Sequence, residues 1–80
     1  VKFDIRKTMD EVNKIVGNDV EILFRSIDDK FLIRVSKFYK NQWHHSEQAV
    51  SLAEIDLDRL NIIFKELAYG IKDLIDSYKG

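Results

Sequence analysis

Two adjacent histidines, His44 and His45, followed at once by Ser46, form the densest group of reactive side-chain types in the chain. Imidazole is the commonest metal ligand and the commonest general base in proteins. A zinc site, however, needs three or four ligands converging on one ion. Neighbouring residues on a strand point to opposite faces. If the segment is extended, the two imidazoles cannot reach a shared ion, and no third ligand stands at a metal-binding spacing. The same divergence separates Ser46 from His45, whereas nucleophilic catalysis needs nucleophile, base and orienting group in mutual reach. Asp73 and Asp76 share a spacing that suits a solvated helix face, with nothing to place them in a cleft. The chain has no cysteine, which excludes disulfides and thiolate ligands, and it has no glycine-rich phosphate loop. These residues predict no catalytic group, no metal and no cofactor, and so a chain that is not an enzyme by itself.

The elements that carry these residues are legible. The sequence is 80 residues long with a formal net charge of −1, so it is read as a single domain over 1–80 with no overall pull toward nucleic acid or membrane. It contains no apolar run long enough for a membrane span and opens on no signal-peptide pattern, which sets the expectation of a cytoplasmic protein. Ile5, Met9, Val12 and Val16 recur at helical spacing. Thr8 with Glu11 resembles a capping box and Asp4 is a competing N-cap, while Gly17-Asn18 supplies a stop. Val20, Ile22 and Phe24 alternate with polar positions, as do Phe31, Ile33 and Val35 after Asp28-Asp29, and this period of two predicts strands. If Asp28-Asp29 is a two-residue turn, Ile27 pairs with Lys30, Phe24 with Ile33 and Ile22 with Val35, and the apolar set shares one face. A third strand is expected from about Trp43 to Leu52 after a turn at Lys40-Asn41, with Val50 and Leu52 toward the core.

Leu60, Ile63, Phe64, Leu67, Ile71, Leu74, Ile75 and Tyr78 form the stripe of a long helix from about Asp56 to Tyr78. Ser51 with Glu54 offers an earlier start. Gly70 inside this helix marks either close packing against the sheet or a bend. The fold predicted is α+β: helix, three-stranded antiparallel sheet, long C-terminal helix (αβββα), with both helices on one face of the sheet. Its core is expected to unite Phe24, Ile33, Val35, Leu60, Phe64, Leu67 and Ile71.

That architecture leaves two surfaces for function. The open sheet face carries Leu23, Arg25, Leu32, Arg34, Trp43 and His45, with Ile27 and Phe38 beside them. Aromatic and basic residues on an exposed sheet suit a protein interface, where Trp and Arg are enriched. They also suit single-stranded nucleic acid, whose bases stack while cations hold the backbone. The basic residues Lys30, Arg34, Lys37 and Lys40 lie in a stretch without acids, whereas from Ser51 onward acids outnumber bases. The alternative surface is the far side of the long helix, where Ile62, Glu66, Tyr69 and Asp73 lie among carboxylates. The chain is expected to be a small non-enzymatic protein-binding module that occupies a partner's surface. The alternatives are a nucleic-acid-binding domain using the basic and aromatic sheet face, and a structural homodimer. The size and order of elements are similar to those of small accessory proteins of bacteria, phages and mobile elements. Some of these bind and block a host enzyme, including certain anti-CRISPR inhibitors. The likeness is architectural, implies an accessory or inhibitory role, and carries no functional position across.

Overall fold

A computed structural model describes residues 4–51, 53 and 56–78. They form helix α1 (Ile5–Val16), strands β1 (Val20–Ile27), β2 (Lys30–Tyr39) and β3 (Gln42–Ser51), and helix α2 (Leu57–Ser77). The fold is α+β, with an antiparallel sheet in the order β1-β2-β3.

Local chemistry sets the boundaries. The Asp4 carboxylate accepts from the backbone N–H groups of Arg6 and Lys7 and so caps α1. This decides against the Thr8–Glu11 capping box. Thr8 lies a turn inside the helix, is 1% exposed, and donates its hydroxyl to Asn61 Oδ1 of α2 at 3.0 Å. A buried hydroxyl without a partner would cost about 1–3 kcal/mol, so this bond ties the helices together at their N-terminal halves. Gly17 closes α1 at φ 81°, where a side chain would be strained. Asp56 caps α2 by accepting from the Asp58 N–H at 3.0 Å. Ser51 belongs to β3 instead of starting that helix, and its proposed partner Glu54 lies outside the described residues.

Both hairpins turn on two residues. Ile27 pairs with Lys30, Phe24 with Ile33 and Ile22 with Val35, as the alternation requires. Asp28 takes the left-handed region with φ 54°, a conformation Asp tolerates better than most residues. Lys40 and Asn41 both have positive φ, 52° and 62°, the backbone of a type I′ turn whose twist matches that of the strands. Tyr39 then pairs with Gln42, and β3 begins one residue before the expected Trp43. Of the two β3 residues expected to face the core, Val50 packs against it, whereas Leu52 lies outside the described residues.

Val12 of α1, Ile33 and Val35 of β2, and Leu60, Phe64, Leu67, Ala68 and Ile71 of α2 form one buried cluster. Both helices therefore cover the same sheet face. Burying Phe64 fully contributes about 1.5–3 kcal/mol of hydrophobic stabilisation. Phe24 departs from its expected full burial and remains 38% exposed, although its ring sits 5.1 Å from Phe64 and 5.3 Å from Phe31. The reason is topological. β1 is an edge strand, α2 lies over β2 and β3, and α1 leans on α2 more than on the sheet. Leu74, at the margin of the α2 stripe, is likewise half exposed. At Gly70 an added Cβ would lie 3.2 Å from Ser46 Oγ. This glycine lets α2 approach β3 closely, and the helix runs through it unbroken.

Candidate binding surface on the open sheet

Alternation in the three strands sends Leu23, Arg25 and Ile27 of β1, Leu32, Arg34, Ser36 and Phe38 of β2, and Trp43, His45, Glu47 and Ala49 of β3 to the face opposite the helices. The structure thus brings Leu23, Arg25, Leu32, Arg34, Trp43 and His45 onto a single surface. The face has a definite order along the strands. Across the sheet, Leu23 pairs with Arg34 and Arg34 with Glu47; Glu21 pairs with Ser36 and Ser36 with His45; Arg25 pairs with Leu32 and Leu32 with Ala49.

Large apolar groups remain open to solvent here. Leu23, Ile27, Phe38 and Trp43 are 39%, 43%, 40% and 41% exposed. Phe38 and Trp43 meet edge to face with centroids 5.4 Å apart, a geometry in which a ring edge lies on the electron-rich face of its neighbour. They stand together at the end of the sheet nearest the Lys40-Asn41 turn. At the other end Leu32 and Ala49 floor a hollow walled by Ile27 and Lys30 beside the Asp28-Asp29 turn.

Two polar pairs hold the centre. Arg34 Nε donates to Glu47 Oε2 at 2.9 Å, and its Nη2 lies 2.9 Å from the same oxygen. Ser36 Oγ and His45 Nδ1 are hydrogen-bonded at 2.7 Å. Neither Glu47 nor Ser36 stood out in the sequence. Both follow once the Lys40-Asn41 turn is known to have two residues, because that length alone decides which β3 residue faces which β2 residue. The basic stretch also divides between faces. Arg34 and Lys30 belong to the open face, whereas Lys37 lies on the covered face and donates its ammonium to the Asn18 carbonyl. The lack of acids along the sequence from Lys30 to Ser46 therefore does not make a continuous basic surface.

The histidines separate as their adjacency requires. His45 stays on the open face. His44 lies on the covered face, where its Nε2 is 3.3 Å from the Tyr39 carbonyl and its ring meets Tyr78 edge to face at 4.7 Å. Tyr78 in turn donates its hydroxyl to Gln42 Oε1 at 2.6 Å, which fastens the end of α2 to β3. Among the described residues no group of His, Cys, Asp and Glu gathers with the geometry of a metal site. Ser36 and His45 are a hydroxyl and an imidazole in contact, but Ser36 is only 5% exposed. Among the described residues no carboxylate hydrogen-bonds the imidazole. The pair therefore acts as a cross-strand clamp between β2 and β3.

The alternative surface on α2 is also open. Ile62 is 54% and Tyr69 53% exposed, with Glu66 and Asp73 exposed beside them. Along it Arg59 joins the carboxylates of Asp56 and Glu66, with Ile62 and Ile63, in a groove against Gln48 and Val50 of β3.

The fold and this surface define a class: a two-layer α+β domain with helices on one side of its sheet and a mixed apolar and charged surface on the other. Among the described residues no helix is long and apolar enough to cross a membrane. Compared with protein-family models, with curated proteins and with solved structures, the chain matches none of them.

Proposed function

We propose that this chain is a non-catalytic protein-binding module whose contact surface is the open face of the sheet, and that it acts by occupying a partner's surface. The observation that carries this reading is the simultaneous exposure of Leu23, Ile27, Phe38 and Trp43 around the paired Arg34 and Glu47. Exposed large apolar side chains set among Arg25, Arg34, His45 and Glu47 on one face match the mixed composition of protein interfaces. Trp and Arg are the residue types that most often anchor protein interfaces. An Arg already held by Glu47 is preorganised, so less side-chain freedom is lost when a partner docks.

Nucleic acid is the weaker reading for the same face. Phosphate binding gains from cations free to replace counterions, but Arg34 is neutralised by Glu47 and Glu21 adds a second acid. An accessory or inhibitory role in a bacterium or phage rests on the architectural likeness alone.

The test compares wild type with an Arg34→Ala, Trp43→Ala double variant whose melting profile is unchanged, using partner protein captured from the native host. The double variant is expected to bind at least about thirtyfold more weakly, since loss of an anchor costs about 2 kcal/mol or more. Undiminished binding by the variant overturns the assignment. A salt titration of single-stranded DNA binding separates the other reading: steep salt dependence at modest ionic strength would favour nucleic acid.

A further inference from the structure

We infer that the hollow at the end of the open sheet face nearest the Lys40-Asn41 turn, lined by Asp19, Val20, Glu21, Phe38 and Trp43, receives an arginine side chain of the partner protein. The inference rests on the sheet-face reading above and names the chemistry that one part of that face recognises.

Strand pairing assembles the hollow from three segments. Asp19 stands at the start of β1, with its backbone at φ 62° and its carbonyl accepting from the Phe38 N–H at 3.0 Å. Glu21 follows two residues later on the same side of the strand, about 7 Å further along. Phe38 occupies the central strand, and Trp43 pairs with it from β3. The hollow therefore has carboxylates on its β1 side and rings on its β2 and β3 side. The two rings are canted at 62° to each other and are 40% and 41% exposed.

The chain does not answer the negative charge gathered there. Among the described residues neither the Asp19 nor the Glu21 carboxylate has a hydrogen bond or an ion pair. The basic residues of β2 and its turn are engaged elsewhere. Arg34 is held by Glu47, Lys37 donates to the Asn18 carbonyl on the covered face, and Lys40 lies over the Tyr39 ring. Two like charges side by side on an open face are complementary to a cation supplied by the partner.

The rings decide which cation. A hard metal ion takes six or more oxygen ligands, and among the described residues no group of three His, Cys, Asp or Glu gathers for one. Aromatic faces instead attract organic cations through the ring quadrupole, Trp the most strongly. Guanidinium is planar and more weakly hydrated than ammonium. It stacks on a ring while its forked N–H groups donate to a carboxylate. Rings on one side of the hollow and carboxylates on the other offer both contacts at once.

The probe is N-acetyl-arginine methylamide, titrated at low ionic strength against the full chain. N-acetyl-citrulline methylamide serves as its neutral isostere and N-acetyl-lysine methylamide as a second cation. Trp43 is the one tryptophan of the full chain, so its fluorescence and its indole N–H resonance report on the hollow directly. The arginine compound is expected to shift both signals saturably in the millimolar range. It should bind at least about threefold more tightly than the lysine compound, and the citrulline compound should give no saturable shift. Asn tolerates the left-handed backbone of position 19, and Glu21 is exposed, so an Asp19→Asn, Glu21→Gln double variant keeps the fold. It is expected to bind the arginine compound about fivefold more weakly. An equal response to the citrulline or the lysine compound overturns the inference. So does the absence of any saturable shift, or an unchanged affinity in the double variant. The same variant is expected to weaken binding of partner protein captured from the native host by at least about fivefold. A partner that tolerates it but is lost by Arg34→Ala, Trp43→Ala overturns the arginine site and leaves the sheet-face reading standing. A partner indifferent to all four substitutions overturns both.

Discussion

Replacing Gly70 with Ala sets two opposing effects of known size against each other at one atom. Gly70 lies well inside α2, where Ala is more favourable than Gly by about 0.8–1.0 kcal/mol. The added methyl, however, would stand 3.2 Å from Ser46 Oγ and 4.0 Å from Ser46 Cβ. The first distance is several tenths of an ångström inside comfortable contact, while the second is ordinary contact. The whole conflict therefore comes from one hydroxyl. In wild type, relieving it means rotating Ser46 or shifting α2, and overpacking of this kind costs about 1–3 kcal/mol. Gly70→Ala is thus expected to leave stability unchanged or lower it by up to about 2 kcal/mol. In a Ser46→Ala background the hydroxyl is gone, the methyl fits, and the same substitution is expected to stabilise by about 1 kcal/mol. For a chain of this size that is a rise in Tm of about 4–8 °C. Urea titrations of the four proteins in this cycle measure the coupling, expected at about 1 kcal/mol or more. Equal effects of Gly70→Ala in both backgrounds, within about 0.3–0.5 kcal/mol, would refute the close approach of α2 to β3 at this point.

Other substitutions probe the remaining contacts. Phe64→Ala removes the largest fully buried side chain and is expected to cost about 3–5 kcal/mol in chemical denaturation, most of the stability of a small domain. Thr8→Val leaves Asn61 without its partner and is expected to cost about 1–3 kcal/mol; a Thr8→Val, Asn61→Leu double variant should recover part of that loss in the same assay. Lys40→Asn with Asn41→Gly fits the two positive-φ positions of the β2–β3 turn, and the melting temperature is expected to rise by an amount reflecting up to about 1 kcal/mol. Glu47→Gln breaks an ion pair whose partners are 33% and 48% exposed, so stability should change by less than about 1 kcal/mol. Any larger effect of Glu47→Gln, measured as partner binding, would come from releasing Arg34.

The order of elements and the first hairpin were legible in the sequence because each is set by local periodicity and turn chemistry. Val20, Ile22 and Phe24 against Phe31, Ile33 and Val35 fix the parity of the pairing if both apolar faces are to coincide, and a two-residue turn at Asp28-Asp29 then selects the register that the structure has. The stripe from Leu60 to Ile75 could only be a helix burying one side. What lay beyond sequence reading depends on distances between segments. Phe24 has the residue type of a core position, yet its burial depends on where α2 settles over the sheet, and α2 lies over β2 and β3 and not over β1. Thr8 reads equally well as a cap or as a buried hydroxyl until Asn61 is placed against it. The members of the open face were recoverable from strand parity, but its chemistry was not. Arg34 reads as a free cation until the Lys40-Asn41 turn brings Glu47 beside it, and His45 reads with its neighbour Ser46 until the same turn gives it Ser36. Periodicity assigns a side chain to a face, because that follows from backbone geometry within one strand. Which groups share that face at bonding distance is decided by the pairing of strands far apart in the chain, and so by the tertiary structure.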